Sequence, residues 1–120
     1  MEYKRLVIEI GQGVDMHGGD QNNAILKATK DAIHHCCIAG LSEIFEISKR
    51  KGVKLVADVY VPDPDNADPN VVSDYMGAMY DDITVNMHVG GADPEGIALD
   101  GGPKTPITIA LVVITVWVMA

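Results

Sequence analysis

Hydrophobic and polar residues alternate in three segments of the chain, a fourth segment is almost continuously apolar, and each of the four predicts a β-strand. The four segments are residues 4–10, Val53–Val61, Asp82–Val89 and Ile107–Val118. The third shows the clearest pattern, because apolar and polar side chains alternate along all of it. The fourth is almost wholly apolar and rich in β-branched residues, which is typical of a buried strand, and it is too short to span a membrane.

Apolar residues at helical spacing predict helices between these strands. The first helix is expected from Gln21 to Ala39, with Asp20 as its N-cap and Gly40 just beyond its end. Its apolar stripe consists of Ile25, Ala28, Ala32, Ile33 and Cys36. A second helix is expected from Ser42 to Lys51, and a short third helix from Asn70 to Met79.

The element order β-α-α-β-(α)-β-β predicts one α/β (α+β) domain over residues 1–120, with a sheet of about four strands and helices on one face. In the first strand we expect Leu6, Ile8 and Ile10 to form the apolar face. The opposite sheet face would carry Glu9, Asp58, Tyr60, Thr84, Asn86 and His88. A mixed face in so small a domain is commonly covered by another copy, so we expect a homo-oligomer, with a trimer favoured.

Charge and cysteine content narrow the range of partners. Residues 1–54 hold eight Lys or Arg against seven Asp or Glu, whereas residues 55–120 hold one against ten, which gives the net charge of −8. Nucleic acid and anionic membranes are therefore not expected partners. Cys36 and Cys37 are adjacent and cannot pair with each other, so we expect core thiols. With no signal peptide apparent, the sequence favours the cytoplasm.

The segment Ile10–Asp20 combines four glycines, two carboxylates and one imidazole, and is predicted to join the first strand to the first helix. Glycines there can take positive φ or let another backbone or a ligand come close. Free amides at the start of the helix would favour an anion. The segment is not a dinucleotide fingerprint, because Met16 stands where the third glycine of G-x-G-x-x-G would be.

The residues from Gly11 to Gly18 match the pattern GxGxDxHG. In this motif the chain resembles a small family of uncharacterised bacterial and plant proteins of about this length, and the similarity spans nearly the whole chain. The resemblance implies site positions in the motif but no reaction. The predicted layout is also similar to the trimeric chorismate-mutase-like fold, in which sites lie between subunits; this similarity is one of fold alone.

An imidazole beside a carboxylate suits acid–base chemistry, so we expect Asp15 to orient His17. His17 follows the first strand and His88 lies near the end of the third, so parallel neighbouring strands would bring both rings to one edge of the sheet. The catalytic candidates are Asp15, His17 and His88. The candidates for ligand binding are Gly11, Gly13, Gly18, Asp20, Asn86, Gly90 and Gly91.

These residues lead to two hypotheses about function. The first is a small-molecule enzyme that uses acid–base chemistry, as an isomerase, cyclase, lyase or ring-opening hydrolase, on a small polar molecule at a subunit interface. The second is a non-catalytic oligomer that binds a ligand or a metal. Asp15, His17, Asp20 and His88 would be metal ligands of ordinary type, although no HExxH or CxxC motif supports them and the identity of a metal stays open. No organic cofactor is indicated.

Overall fold

A computed structural model describes residues 2–35, 37–45 and 51–120 as a mixed sheet covered on one face by helices. The strands are β1 (Tyr3–Asp15), β2 (Val53–Val61), β3 (Ile83–Val89), β4 (Glu95–Ala98), β5 (Lys104–Pro106) and β6 (Thr108–Met119). The helices are α1 (Gln21–Ile33), α2 (Gly40–Glu43) and α3 (Asn70–Met76), and Pro64–Asn66 form one turn of 3-10 helix. The predicted class and element order are confirmed, with a small β4–β5 hairpin added.

The main sheet has the strand order β1-β6-β2-β3. Strand β6 is antiparallel to both β1 and β2, whereas β2 and β3 are parallel. Strands β1, β2 and β3 therefore run in the same direction, and their carboxyl ends lie at one end of the sheet. Strands β1 and β3 are at opposite margins of it.

The core lies between one sheet face and the helices. Strands β2 and β6 alternate strictly between buried and partly exposed positions, as expected for strands that cover a core on one side. Helix α1 contributes Ala24, Ile25, Ala28 and Ala32 to the core, and α3 contributes Val72 and Met76. Apolar side chains of β2 and β6 make up most of the rest, namely Val53, Leu55, Ala57, Val59, Val61, Ala110, Val112, Ile114, Val116 and Val118.

The predicted orientation of β1 is wrong, and so is its predicted end at residue 10. Ile8 and Ile10 are 52% and 62% exposed, whereas Glu9, Gly11 and Gly13 face the helices and are buried. The register shifts between Arg5 and Val7, which is typical of a β-bulge. The apolar alternation favoured the isoleucines as core residues. Two glycines on the other face, however, let α1 pack directly on the strand.

The close approach of α1 explains why Gly11 and Gly13 are glycines. A Cβ atom at Gly11 would lie 2.9 Å from the Cα of Ala32 and closer still to main-chain atoms of Ala28 and Ala32. A Cβ atom at Gly13 would be 2.8 Å from the Cβ of Lys27 and nearer to main-chain atoms of Ala24 and Ala28. Both glycines lie within β1, and neither has positive φ.

The helix predictions are partly confirmed. Asp20 is the N-cap of α1, and its carboxylate accepts a hydrogen bond of 3.1 Å from the backbone amide of Asn23. The helix ends at Ile33 rather than at Ala39, and Gly40 begins α2 instead of following α1. Cys36 and the basic part of the predicted second helix, Lys49 and Arg50, lie outside the described residues. Cys37, expected in the core, is exposed.

Residues 90–107, between β3 and β6, are rich in glycine and form an extension of the sheet. Ala92 pairs with Ile109 by two backbone hydrogen bonds, where β2 has already ended, and the β4–β5 hairpin continues beyond this point. The chain is consequently elongated, with extents of 58 × 24 × 19 Å. Its radius of gyration of 16.3 Å exceeds the roughly 14 Å expected for a compact chain of this length.

Candidate functional site

Four polar or aromatic side chains meet on the sheet face that the helices leave open. Asp58 and Tyr60 come from β2, and Asn86 and His88 come from β3. The parallel register pairs Asp58 with Asn86 and Tyr60 with His88. All four point to the same side because residues two apart in a strand share a face. We call this group the open-face cluster.

The central contact of the open-face cluster joins His88 to Asp58. The Nε2 atom of His88 lies 2.8 Å from the Oδ1 atom of Asp58, and the Nδ2 atom of Asn86 donates to the same oxygen at 3.3 Å. The rings of Tyr60 and His88 are stacked, with centroids 4.8 Å apart and planes 20° from parallel. The imidazole is therefore held both at its edge and on one face.

The open-face cluster is accessible to solvent. The side chain of His88 is 41% exposed and that of Asp58 is 28% exposed. When a carboxylate accepts the proton on Nε2, the neutral imidazole keeps Nδ1 as an acceptor. The arrangement can thus accept a proton from a molecule bound on this face and stabilise the imidazolium that results.

Gly90 makes room for Tyr60, and Gly91 lets the chain pass from β3 across the end of β2 to pair with β6. A Cβ atom at Gly90 would lie 2.9 Å from the Cβ of Tyr60. Gly91 has φ of +64° and passes close to the carbonyl oxygens of Ile109 and Tyr60. Gly90 and Gly91 therefore shape one end of the open-face cluster.

Asp15 contacts the start of α1 instead of orienting His17. Its Oδ2 atom accepts from the backbone amide of Asp20 at 2.9 Å, and its Oδ1 atom accepts from the side-chain amide of Asn23 at 2.8 Å. Asp15 is buried, whereas His17 is exposed in the turn that follows. No hydrogen bond joins these two described residues, so the structure gives Asp15 a capping role.

The structure does not bring His17 and His88 to neighbouring strands. Strands β1 and β3 are parallel in direction, but β6 and β2 lie between them. Three interstrand spacings of about 4.8 Å separate the two strands by about 14 Å. The premise that they are neighbours is therefore wrong, although both histidines lie toward the same end of the sheet.

The Ile10–Asp20 segment and the glycine-rich segment that follows β3 approach each other at this end of the sheet. Gly19 and Asp93 line one small cleft of about 170 Å³, together with Pro62 and Asp63 of the loop after β2. The backbone amide of Gly18 donates to the hydroxyl of Thr105, which links the first loop to β5. The cleft combines residues from both segments, but neither His17 nor His88 lines it.

A larger cavity lies on the helix-covered face and was missed in the sequence. Its volume is about 360 Å³, and its wall includes Glu9, which is only 8% exposed. The alternation of β1 placed Glu9 on the opposite face. The sequence did contain a signal for the position of Glu9. Glu9 lies two residues before Gly11 and therefore on the same strand face as Gly11, which contacts α1.

The described residues contain no group of three or more His, Cys, Asp or Glu side chains placed to hold a metal ion. Asp15, Asp20, His17 and His88 in particular do not converge. None of the helices in the described ranges has the length and apolar character needed to cross a membrane.

These features define a small α/β domain with a histidine–aspartate pair on an uncovered sheet face. Residues 5–116 match the family model described as "Conserved hypothetical protein (Lin0512_fam)", and the chain belongs to this family. The expected membership of an uncharacterised family is thereby confirmed. A comparison with curated proteins gives no match.

A solved structure has the same fold over the full length of the chain. It is the crystal structure of an FtsZ-like protein of unknown function from Nostoc punctiforme PCC 73102. The two proteins are 27% identical, with a TM-score of 0.85, and the similarity covers 100% of this chain and 99% of that one. The β4–β5 extension and the uncovered sheet face thus belong to a chain that matches a known architecture from end to end.

Proposed function

We propose that this protein is a small-molecule enzyme that uses acid–base chemistry, with His88 as the general base and acid and Asp58 as the residue that orients it. The contact of 2.8 Å between His88 Nε2 and Asp58 Oδ1 is the observation that supports this function most strongly. The reaction class is an isomerisation, cyclisation, elimination or hydrolytic ring opening of a small polar molecule. These reactions share one requirement, a proton taken from one atom and returned to another.

In this mechanism Nδ1 of His88 accepts a proton from the substrate or from a water molecule. The positive charge that forms on the imidazole is stabilised by the Asp58 carboxylate. The imidazolium then returns the proton to the leaving group or to a neighbouring atom of the substrate. Asn86 holds Asp58 through its side-chain amide, and Tyr60 keeps the imidazole ring in one orientation by stacking.

We further propose that the site is completed by another copy of the chain. Beside the open-face cluster, the β1–β6 half of the same face exposes Ile8, Ile10 and Leu111. Exposed apolar area of this kind favours a protein interface. A trimer is our preferred assembly, by analogy with chorismate-mutase-like trimers. A homodimer is the commonest alternative for soluble proteins.

In such an assembly the GxGxDxHG segment would form the second wall of the site. His17 is exposed and lies near the same end of the sheet as His88, so His17 of a neighbouring copy could reach the substrate. Gly18, which has no side chain, would let the substrate come close to the backbone. Asp15 would position the turn through its contacts with α1. The exposed Cys37 thiol suits the cytoplasm, which we propose as the location.

A non-catalytic oligomer that binds a ligand or a metal is the second candidate. The observation that favours it is that the Oδ1 atom of Asp58 already contacts both Asn86 Nδ2 and His88 Nε2, as in a polar patch of purely structural role. A polar patch at a subunit interface would need the same arrangement. The two candidates differ in whether a bound molecule is changed.

A turnover screen with matched variants separates these candidates. The wild-type protein is incubated with a library of small polar lactams, lactones, hydroxy acids and keto acids, and products are detected by mass spectrometry. We expect at least one compound to be converted and the His88→Asn and Asp58→Asn variants to lose most of that activity. Removing a general acid–base group typically lowers the rate about a hundredfold or more.

The chain offers a matched control for this screen. His35 and Asp31 form another exposed histidine–aspartate pair, with His35 Nε2 3.2 Å from Asp31 Oδ1, on the surface of α1 and the turn that follows it. The His35→Asn variant should keep full activity. Activity that survives in His88→Asn, or that falls equally in His35→Asn, would contradict the assignment. Binding of library compounds without any conversion would favour the non-catalytic candidate.

A further inference from the structure

The β4–β5 hairpin exposes most of its residues to solvent. Its apolar side chains are among them, because Ile97 is 62% exposed and Leu99, just after β4, is 49% exposed. The hairpin projects beyond the end of the main sheet and adds to the 58 Å length of the chain. A two-stranded hairpin is only marginally stable in water unless it packs on another surface. These features favour packing of the hairpin against another molecule.

The tip of the hairpin is a defined turn that carries an acidic side chain. Asp100 and Gly101 have φ of +51° and +74°, and the backbone amide of Gly102 donates to the carbonyl oxygen of Leu99. Positive φ at both central residues is characteristic of a type I′ turn, for which Asp-Gly is a favoured pair. In the described part of the chain no Lys or Arg forms an ion pair with Asp100. The turn thus presents a carboxylate without an ionic partner.

Two cations lie together on the open sheet face. The register places Arg5 of β1 and Lys54 of β2 on either side of Trp117 of β6. The guanidinium of Arg5 is 5.6 Å and the ammonium of Lys54 is 5.8 Å from the centre of the Trp117 ring. No carboxylate of the described ranges forms an ion pair with either cation. We call Arg5, Trp117 and Lys54 the basic row.

The hairpin tip and the basic row are complementary in charge and polarity. The carboxylate of Asp100 suits a position between two cations, and the apolar side chain of Leu99 suits the exposed part of the Trp117 ring. Opposite charges fix the register of protein interfaces, and aromatic and arginine side chains are enriched in them. The two surfaces cannot meet within one chain, because the hairpin lies beyond the carboxyl ends of β1, β2 and β3, whereas the basic row lies near the amino ends of β1 and β2. The partner that fits is a second copy.

The spacing along the two surfaces agrees with such a contact. The hydroxyl of Thr105 accepts from the backbone amide of Gly18, which follows His17. The hairpin tip precedes Thr105 by about four residues, which span about 13 Å at 3.3 Å per strand residue. On the open face Lys54 and Asp58 are also four residues apart in β2, again about 13 Å. A neighbour's hairpin laid along β2 with its tip at the basic row would bring its His17 close to Asp58.

We propose that the β4–β5 hairpin of each copy docks on the basic row of a neighbouring copy, with the carboxylate of Asp100 between Arg5 and Lys54. This contact rests on the assembly proposed above and specifies how one copy reaches the open-face cluster of the next. It does not depend on any reaction at His88. Docking of one surface on a different surface is compatible with a closed ring such as the trimer.

Charge reversal on both surfaces tests the contact. Asp100→Lys and Lys54→Glu should each raise the dissociation constant of the assembly about tenfold or more in sedimentation experiments, because like charges then face each other. The variant that combines both substitutions should recover most of the wild-type affinity, since the pair is restored with its signs exchanged. Asp74→Lys makes the same change of charge on the exposed surface of α3 and should assemble as the wild type does. Circular dichroism establishes that each variant is folded.

Trp117 provides a second readout that needs no substitution. It is the single tryptophan of the chain and lies in the basic row. Docking of the hairpin should remove part of the indole ring from water. Dilution that dissociates the assembly should therefore shift the emission of Trp117 to longer wavelength, with the same concentration dependence as in sedimentation.

The outcomes separate this contact from the proposed function. A wild-type monomer at micromolar concentration would overturn both the contact and the assembly. An assembly that persists unchanged in Asp100→Lys and Lys54→Glu would overturn the hairpin contact alone, as would dissociation without a change in Trp117 emission. A combined variant that stays as dissociated as the single variants would also overturn it. None of these readouts is an activity, so the turnover screen is decided separately.

Discussion

The packing of α1 on β1 leads to a sharp prediction for Gly13→Ala. The added Cβ atom would meet the main chain of α1 at Ala24 and Ala28 and would lie 2.8 Å from the Cβ of Lys27. Real Cβ contacts are essentially never shorter than 3.0 Å, so something must move. The helix backbone cannot rotate away as a flexible side chain can. The variant therefore either displaces α1 or bends β1.

The magnitude follows from the movement needed. Relief of the contact requires α1 to shift by about 1 Å, and a gap of that size forfeits roughly a quarter to a half of the dispersion energy at the interface. Overpacking of a core typically costs about 1 to 3 kcal/mol. Because the obstacle here is main chain, we expect the upper value, about 3 kcal/mol. For a chain of this length that corresponds to a fall in Tm of about 12 °C.

Thermal melts of two alanine variants separate steric conflict from backbone strain. Gly101 has φ of +74° and open space around its Cα, so Gly101→Ala should lower stability only through the strain of positive φ, by about 1 kcal/mol. Gly13 does not have positive φ, so Gly13→Ala should lower stability only through the steric conflict with α1. We therefore expect a clearly larger fall in Tm for Gly13→Ala. A Tm for Gly13→Ala equal to that of the wild type, or to that of Gly101→Ala, would refute the described packing.

Three further predictions concern capping, pH and assembly. Asp15→Ala should cost about 1 to 3 kcal/mol in urea unfolding, because it leaves amide groups at the start of α1 unpaired; a loss below about 0.5 kcal/mol would argue against this role. The backbone amide of Gln12 donates to Asp31 and, with a smaller contribution from His35, lowers the pKa of that carboxyl below its ordinary value. The stability that the Asp31 carboxylate contributes is therefore present above its ordinary pKa and is lost as the pH falls through its lowered pKa. The difference in urea midpoint between the wild type and Asp31→Asn should close in acid. A difference that stays constant with pH would contradict this prediction. If the protein forms the proposed oligomer, Ile10→Lys should reduce it to monomers in sedimentation experiments, whereas Ile44→Lys, at an exposed site away from the sheet, should not. A wild-type monomer at micromolar concentration would exclude the oligomer.

The signals are local for three strands, β2, β3 and β6, and for the starts of α1 and α3, so these features were predictable. Strand β2 has the predicted bounds, and β3 and β6 differ from prediction by one residue at one or both ends. Asp20 was predictable as an N-cap because capping depends on residues within one turn. The early end of α1 at Ile33 was not, since the apolar stripe continues beyond it.

The orientation of β1 could not be predicted from alternation alone. Ile8 and Ile10 are typical core residues, and hydrophobicity places them inward. The face that actually packs on α1 contains Gly11 and Gly13, which bury little apolar area of their own. What decides the orientation is the match between two glycines and a helix stripe of alanines, and this contact exists only once both elements are placed together.

The candidate site was predictable only in part, for a reason of topology. His88 and Asn86 were identified because they lie on the polar side of an alternating strand. Their partner Asp58 was placed on the correct face, but its contact with His88 depends on the parallel pairing of β2 with β3. The order of strands in the sheet could not be deduced from the alternation pattern. The insertion of β6 between β1 and β2 separates His17 from His88.

The proton positions on the His88 ring provide the most direct test of the proposed acid–base pair. A long-range ¹H–¹⁵N NMR spectrum at high pH assigns the tautomer of each neutral histidine. We predict that His88 is held with its proton on Nε2, that Asp58→Asn weakens this preference, and that exposed His17 is unaffected. A tautomer of His88 that has its proton on Nδ1, or that does not change in Asp58→Asn, would contradict the account.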